Sequence, residues 1–421
     1  MRERIANLRA LRLRAAGDVA GAAAVLREAV ALDPEVVELQ FNLGQVSSDL
    51  GAWEDAERAF GRVVALDPEH CDAYRALADL AQVRGDVPGA LAFQREALRR
   101  RRLYSRIAPN ARRRVLALYA PGDFKANAPL ELLLDPETTT LHTYYCNEFS
   151  DVAELPDADV AFVAIGESPW AQAPLRVAAR LLRETGLPVV NRPERIPDTD
   201  RERLAKIVPH LEGISMPPID CVPRETLADA ASFPLVVRPP GSQAGERFER
   251  IGDRAELAVY LDANRDEAFY VSPFVDYASA DGFYRKYRIV VVDGEPYGYH
   301  LAISPTWKVH YYATPMQHET WMREEEEAFL RDGDGGRTEA LMTGLRALAA
   351  RLELDYFAAD CTIGPDGRPL LFEADTAMLV HALDPTKTFT YKVGYIRRIF
   401  TAVEAMLDRR IAGNATSSGA P

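Results

Sequence analysis

The sequence predicts a multidomain chain: an all-α repeat module, then an α/β domain, then an α+β domain. Three observations carry this. Gly17, Gly51 and Gly85 stand 34 residues apart, which is the period of a helix–turn–helix repeat. Residues 115–190 alternate strand-like and helix-like patterns, as a parallel sheet with crossover helices does. In Leu354–Thr376, LDYFAADCTIGPDGRPLLFEADT, two apolar runs flank Gly-Pro-Asp-Gly, which reads as a hairpin rich in acids.

The repeat module is expected over residues 1–102. Asp33-Pro34 and Asp67-Pro68 keep the period, and GAWEDAERAFGRVVALDPE is its clearest copy. These features resemble tetratricopeptide repeats. Ala20, Ala24, Ala56 and Ala59 are expected where small residues let paired helices approach. Three such units stack into a short superhelix with a concave face. That face suits a peptide or protein partner; the other use of such a module is packing, as in a homodimer. RRRRLYSRIAPNARRR follows, with eight arginines and no acid. It is expected to be an Arg-rich linker, residues 103–114, with arginines complementing a helix C-terminus.

In residues 115–190, VLALYAP, TLHTYYC, VAFVAIG and LPVVN are strand-like, and AQAPLRVAARLLRETG is an amphipathic helix ending at Gly186. No GxGxxG is present, so no dinucleotide site is read here. His142 and the Gly166-Glu167-Ser168 loop suit a cleft edge or ordinary loop positions. Beyond Asn191, FPLVVRP is a strand running into a Gly/Ser loop. Gly241 and Gly245 allow tight turns there whose amides can cradle phosphate. EAFYVSPFVDY reads as strand and hinge, and YRKYRIVVVDGEPYGYHLAIS as a hairpin around Asp293-Gly294. Trp307, Lys308 and His310 are expected on a further hairpin. YKVGYIRRIFTAVEAMLDRRI is an amphipathic closing helix, with 411–421 expected as a disordered tail.

The acidic hairpin turns near Asp366, with Asp360 six residues before and Glu373 seven after, so these two fall opposite each other. Glu373 and Asp375 are i and i+2 on one sheet face. Three carboxylates so close repel, and a positive charge is expected among them. Oxygen ligands without His or Cys favour Mg²⁺ or Mn²⁺, usually shared with phosphates.

This order of elements resembles the ATP-grasp superfamily over residues 112–410, which implies an α/β pre-grasp domain (115–190) and an α+β ATP-grasp fold (191–410). By that resemblance Asp360 and Glu373 match metal-bridging carboxylates, and Asp375 stands where Asn is usual. Arg238 stands for a phosphate-binding Lys, Arg201 for the Lys of an Asp-Lys pair, and Arg288 for the basic residue opening the strand before the Asp-Gly hairpin. Ser272-Pro273 replaces the usual hinge Glu. Gly241, Ser242, Gly245, Ser272 and Phe274 fall on the nucleotide side. Arginine keeps its charge and holds phosphate oxygens bidentately, so both replacements suit a triphosphate. Arg238 is also expected to offset the added charge of Asp375.

The resemblance implies an ATP-dependent carboxylate–amine ligase that works through an acyl phosphate, with ATP and Mg²⁺ (or Mn²⁺) as cofactors. Arg288 and Lys308 are the candidates for stabilising the transferred phosphoryl group. The alternative is a nucleotide-binding but inactive grasp domain on a protein-interaction scaffold. A net charge of -13 argues against general nucleic-acid or anionic-membrane binding. Cys71, Cys146, Cys221 and Cys361 are scattered without CxxC spacing, which suggests reduced thiols and no zinc site. The charged N-terminus is unlike a signal peptide, and no apolar run reaches membrane-spanning length. A cytoplasmic protein is the expectation.

Overall fold

The computed structural model describes residues 2–417, apart from 124, 229–231, 243–244, 334–335, 337, 365 and 385–386. The last four residues of the expected tail lie outside the described residues. The preceding ones belong to the closing helix, which runs Val393–Ser417. The chain divides into two units, residues 1–104 with 121–123, and residues 105–120 with 124–421.

The first unit holds, among its described residues, helices α1 (Arg2–Ala15), α2 (Val19–Leu32), α3 (Val37–Asp49), α4 (Trp53–Leu66), α5 (Cys71–Val83) and α6 (Val87–Arg100). Gly17, Gly51 and Gly85 all sit at left-handed φ, at 85°, 70° and 75°, where a side chain is strained. That is why glycine recurs at the turn inside each pair. Asp18 and Asp86 cap the next helix by accepting from the amides of Gly21 and Gly89. Two small-residue rows keep the period. Ala10, Gly44 and Ala78 form one, and a Cβ at Gly44 would come within 2.6 Å of the Phe60 ring. Ala22, Ala56 and Ala90 form the other, all buried. Ala56 and Ala59 are buried as expected, but Ala20 and Ala24 are exposed. The period carries Ala56 back to Ala22, so the expectation for the first repeat was out of phase.

The second unit contains three sheets, apart from Leu103 and Tyr104 of the edge strand of the first. Strands β1 (Leu103–Arg106), β2 (Arg113–Tyr119), β3 (Thr139–Tyr145), β4 (Val160–Val163) and β5 (Val189–Val190) make the first, in order β1-β3-β2-β4-β5. β2, β3, β4 and β5 pair in parallel. The α/β reading therefore holds, and helix Gln172–Thr185 ends at Gly186. The stretch expected as a linker, 103–114, instead contains β1 and the start of β2. Its arginines serve acids of the same unit: Arg113 reaches Asp408 at 3.2 Å and Arg114 reaches Asp159 at 2.7 Å.

Strands β6 (Asp220–Pro223), β7 (Leu235–Arg238), β8 (Glu249–Ile251) and β9 (Ala268–Pro273) form a small antiparallel sheet, ordered β6-β9-β7-β8. Leu235, Val237 and Phe269 pack there on Leu257 and Tyr260 of helix Arg254–Ala263. Strands β10 (Tyr284–Val292), β11 (Glu295–Ser304), β12 (Tyr356–Ile363) and β13 (Pro369–Asp375) form the other antiparallel sheet, ordered β11-β10-β12-β13. Its core is continuous with that of the α/β sheet: Val115, Phe162, Val290, Tyr356, Ile399 and Met406 belong to one buried cluster. Trp307, Lys308 and His310 are on no hairpin. They follow β11 and lead into short 3₁₀ turns at Tyr311–Ala313 and Pro315–Gln317.

Asn191 fixes the start of β12. Its side-chain oxygen accepts from the amides of Asp355 and Tyr356, both at 2.9 Å, and its amide nitrogen donates to the Tyr356 carbonyl at 2.7 Å. No described helix is long and apolar enough to cross a membrane.

Candidate active site

The register of the larger antiparallel sheet places four polar residues in one transverse row. His300 on β11 is opposite Arg288 on β10, Arg288 is opposite Asp360 on β12, and Asp360 is opposite Glu373 on β13. Directly opposed residues of antiparallel strands share a face. The row therefore reads imidazole, guanidinium, carboxylate, carboxylate across the sheet.

Asp360 is 1% exposed, and a carboxylate so buried needs a partner. Arg288 supplies it in a fork, Nε to Oδ1 at 2.6 Å and Nη2 to Oδ2 at 3.0 Å. Lys286 adds Nζ to Oδ2 at 2.9 Å. Burial alone would raise the Asp360 pKa, but Arg288 and Lys286 outweigh it and hold the carboxyl well below the ordinary range. Glu373 is ion-paired with Arg201. Burial raises its pKa and neighbouring Asp360 adds to that, but Arg201 and Arg238 bring it below the usual value.

Asp375 lies two residues on, opposite Ala358 rather than in the row. It accepts the Ala377 amide at 2.9 Å. Burial, aided by Glu373, pushes its carboxyl up to about 6. Glu167 is pushed up to about 7, by burial and then by Asp200 and Asp375. Gly166 leaves room for this approach, since a Cβ there would sit 2.5 Å from that of Ala377.

Arg238, at the end of β7, is held differently. Its Nε donates to Ser242 Oγ at 3.0 Å and its Nη2 to the Ser242 carbonyl. No carboxylate among the described residues lies within ion-pair distance. Burial and the nearby charge of Arg201 push its pKa down to about 10. Gly241 and Gly245 both have φ of 76°, as a tight loop requires. A Cβ at Gly241 would approach Pro169 at 3.6 Å, and one at Gly245 would meet Lys308 Cε at 3.4 Å. Lys308 thus stands against the glycine loop, paired with Glu249 at 3.0 Å. Ser272 pairs with Val236 of β7, and the Phe274 amide donates to Pro234 at 3.0 Å. Phe274 and Phe248 each meet Trp307 edge-on, at 5.5 and 5.4 Å, and Arg238 lies 5.4 Å from the Phe248 ring. An aromatic wall therefore adjoins the unpaired guanidinium.

The expected metal triad is not assembled. Among the described residues no group of three or more His, Cys, Asp or Glu side chains is placed to hold a metal ion. The positive charge required by Asp360 and Glu373 comes from Arg288, Lys286 and Arg201, and Asp375 is turned to a backbone amide. In this arrangement both oxygens of Asp360 are engaged by Arg288 and Lys286, so a divalent cation would compete with them there. The charged groups acting most on Arg238 are Arg201 and then Glu373.

Lys286 and His300 were not singled out by the sequence. Lys286 is two residues before Arg288 on β10 and so shares its face, a signal present in the spacing. His300 becomes visible only through the β10–β11 register. Its Nε2 is buried without a hydrogen-bond partner, and its ring stacks on Tyr311 at 4.4 Å. Burial, then Arg288 and Lys392, hold it neutral by pushing its pKa well below the ordinary value.

Residues 13–83 match the tetratricopeptide repeat family, and the repeated helices make the N-terminal unit such an array. No curated protein matches the sequence. Among solved structures, the crystal structure of MamA protein matches with a TM-score of 0.23 and 24% identity, over 24% of this chain and 55% of that one. The chain thus spans about half the length of the MamA structure. The VanG D-Ala:D-Ser ligase from Enterococcus faecalis matches with a TM-score of 0.45 and 12% identity, over 70% of this chain and 99% of that one.

Proposed function

We propose that the chain is an ATP-dependent carboxylate–amine ligase acting through an acyl phosphate, with the repeats recruiting a peptide or protein substrate. The observation that supports this most is Arg238: a half-buried guanidinium bonded, among the described residues, to neutral acceptors, beside a glycine loop and an aromatic wall. A buried cation without a counter-ion is costly, and a phosphate oxygen removes that cost. Phe248, Phe274 and Trp307 offer rings to a purine, Ser272 is the candidate hinge residue, and Gly241 and Gly245 offer backbone amides to phosphate, with Ser242 holding Arg238. In the first step a substrate carboxylate oxygen attacks the γ-phosphorus, the bond to the β–γ bridging oxygen breaks, and ADP leaves. In the second an amine nitrogen attacks the acyl carbon, the carbon–oxygen bond to phosphate breaks, and an amide forms. Arg288 and Lys308 are the cations for the transferred group, and Arg201 pairs with Glu373.

A second reading, nucleotide binding without turnover, is favoured by one observation: Asp360 and Glu373 are already occupied by protein cations. ADP release separates the two. A small-molecule cell extract is divided by ion exchange into acidic and amine-bearing fractions. The ligase reading expects ADP only when both fractions are present; binding of ATP with no ADP under any combination selects the scaffold.

A further inference from the structure

Asp360 and Glu373 are paired with three protein cations, Arg288, Lys286 and Arg201, and Arg238 is a fourth beyond those pairs. Arg288 and Lys286 occupy both oxygens of Asp360, and Arg201 occupies Glu373. Among the described residues the Arg238 hydrogen bonds go to Ser242. A bridging divalent cation would have to compete with Arg288 and Lys286 for both oxygens of Asp360 and with the charge of Arg201 at Glu373. A polyphosphate faces the opposite situation. Four cations, three of them forked donors, are available to it, and it relieves the repulsion between Arg201 and Arg238.

We propose that Arg201, Arg238, Lys286 and Arg288 bind the polyphosphate of a nucleoside triphosphate directly, taking the place of bridging divalent cations, so that binding needs no metal. The proposal rests on the nucleotide reading above. Asp360 and Glu373 act here as internal counter-ions that keep the cations ordered and compete with the incoming phosphates.

Calorimetric titration of the full chain tests this, with ATP and with inorganic tripolyphosphate, each in EDTA and in Mg²⁺. The expected result is that both bind in EDTA, at least as tightly as in Mg²⁺. Binding of ATP in Mg²⁺ alone overturns the proposal and leaves the nucleotide reading standing. Tripolyphosphate bound in EDTA with ATP excluded overturns the nucleotide as ligand, and the nucleotide reading with it. No binding of either anion under either condition overturns both. Glu373→Gln, at the more exposed pair, supplies an independent arm. Freed of its competitor, Arg201 should tighten binding in EDTA by about tenfold, the scale of one charge-assisted hydrogen bond. Weakening confined to Mg²⁺ would mark Glu373 as a metal ligand and overturn the proposal. Asp360→Asn should act in the same direction, with the melting temperature as a folding control.

Discussion

Arg238 is the residue on which the site depends most directly, because its charge has no acid of its own. Arg238→Met keeps much of the apolar stem and removes the guanidinium. ATP affinity should fall by about 1.5–3 kcal/mol, roughly ten- to a hundredfold, in calorimetric titration. The melting temperature should hold or rise, since an unpaired buried charge is lost. Glu167 gives a second test at this scale. Its carboxyl is raised to about 7, so the folded state binds a proton that the unfolded state has lost above about 4.5. Stability from this group is present at low pH and is lost as pH rises from about 4.5 through 7. Glu167→Gln should therefore be more stable than wild type at pH 8, by up to about 3 kcal/mol, with the difference shrinking by pH 5. Equal pH dependence in thermal melts of the two proteins would show that Glu167 titrates normally.

Elements rather than single residues decide how far the sequence could be read. The opposition of Asp360 and Glu373 is legible because both lie within one hairpin, where the turn sets the register. The repeats are legible for a similar reason: their period is local, and each glycine marks a left-handed turn. What joins Arg288 and Lys286 to Asp360 is a strand pairing across about seventy residues, which no local pattern encodes. The source of the charge that the acids require was not legible for that reason: it arrives from β10 at Asp360 and from Arg201 at Glu373. The strand at Leu103–Arg106 was hidden inside an arginine run, whose charges find acids only in the folded unit. In the repeats, close approach gives a sharp prediction. Gly44→Ala would place a Cβ 2.6 Å from the Phe60 ring and should destabilise that unit by about 1–3 kcal/mol. ATP binding by the second unit should be unchanged, as followed by a two-transition melt with and without nucleotide.

For the whole molecule, the fusion of a repeat array to a candidate ligase matters through concentration. A tethered substrate reaches an effective concentration of about a millimolar with a short flexible connection. Removing residues 1–102 should raise the KM for a macromolecular substrate and barely change turnover of a small fragment of it. Unchanged kinetics on the macromolecule would leave the repeats a packing or dimerisation module. The most direct measurement on the chain as a whole is untargeted mass spectrometry of a cell extract incubated with the protein and ATP. A ligase yields a new amide whose mass is that of an acid plus an amine less water, with ADP formed in equal amount. Arg288→Ala should abolish both. ATP left intact, or ADP released with no joined product, would contradict the assignment of this site to ligation.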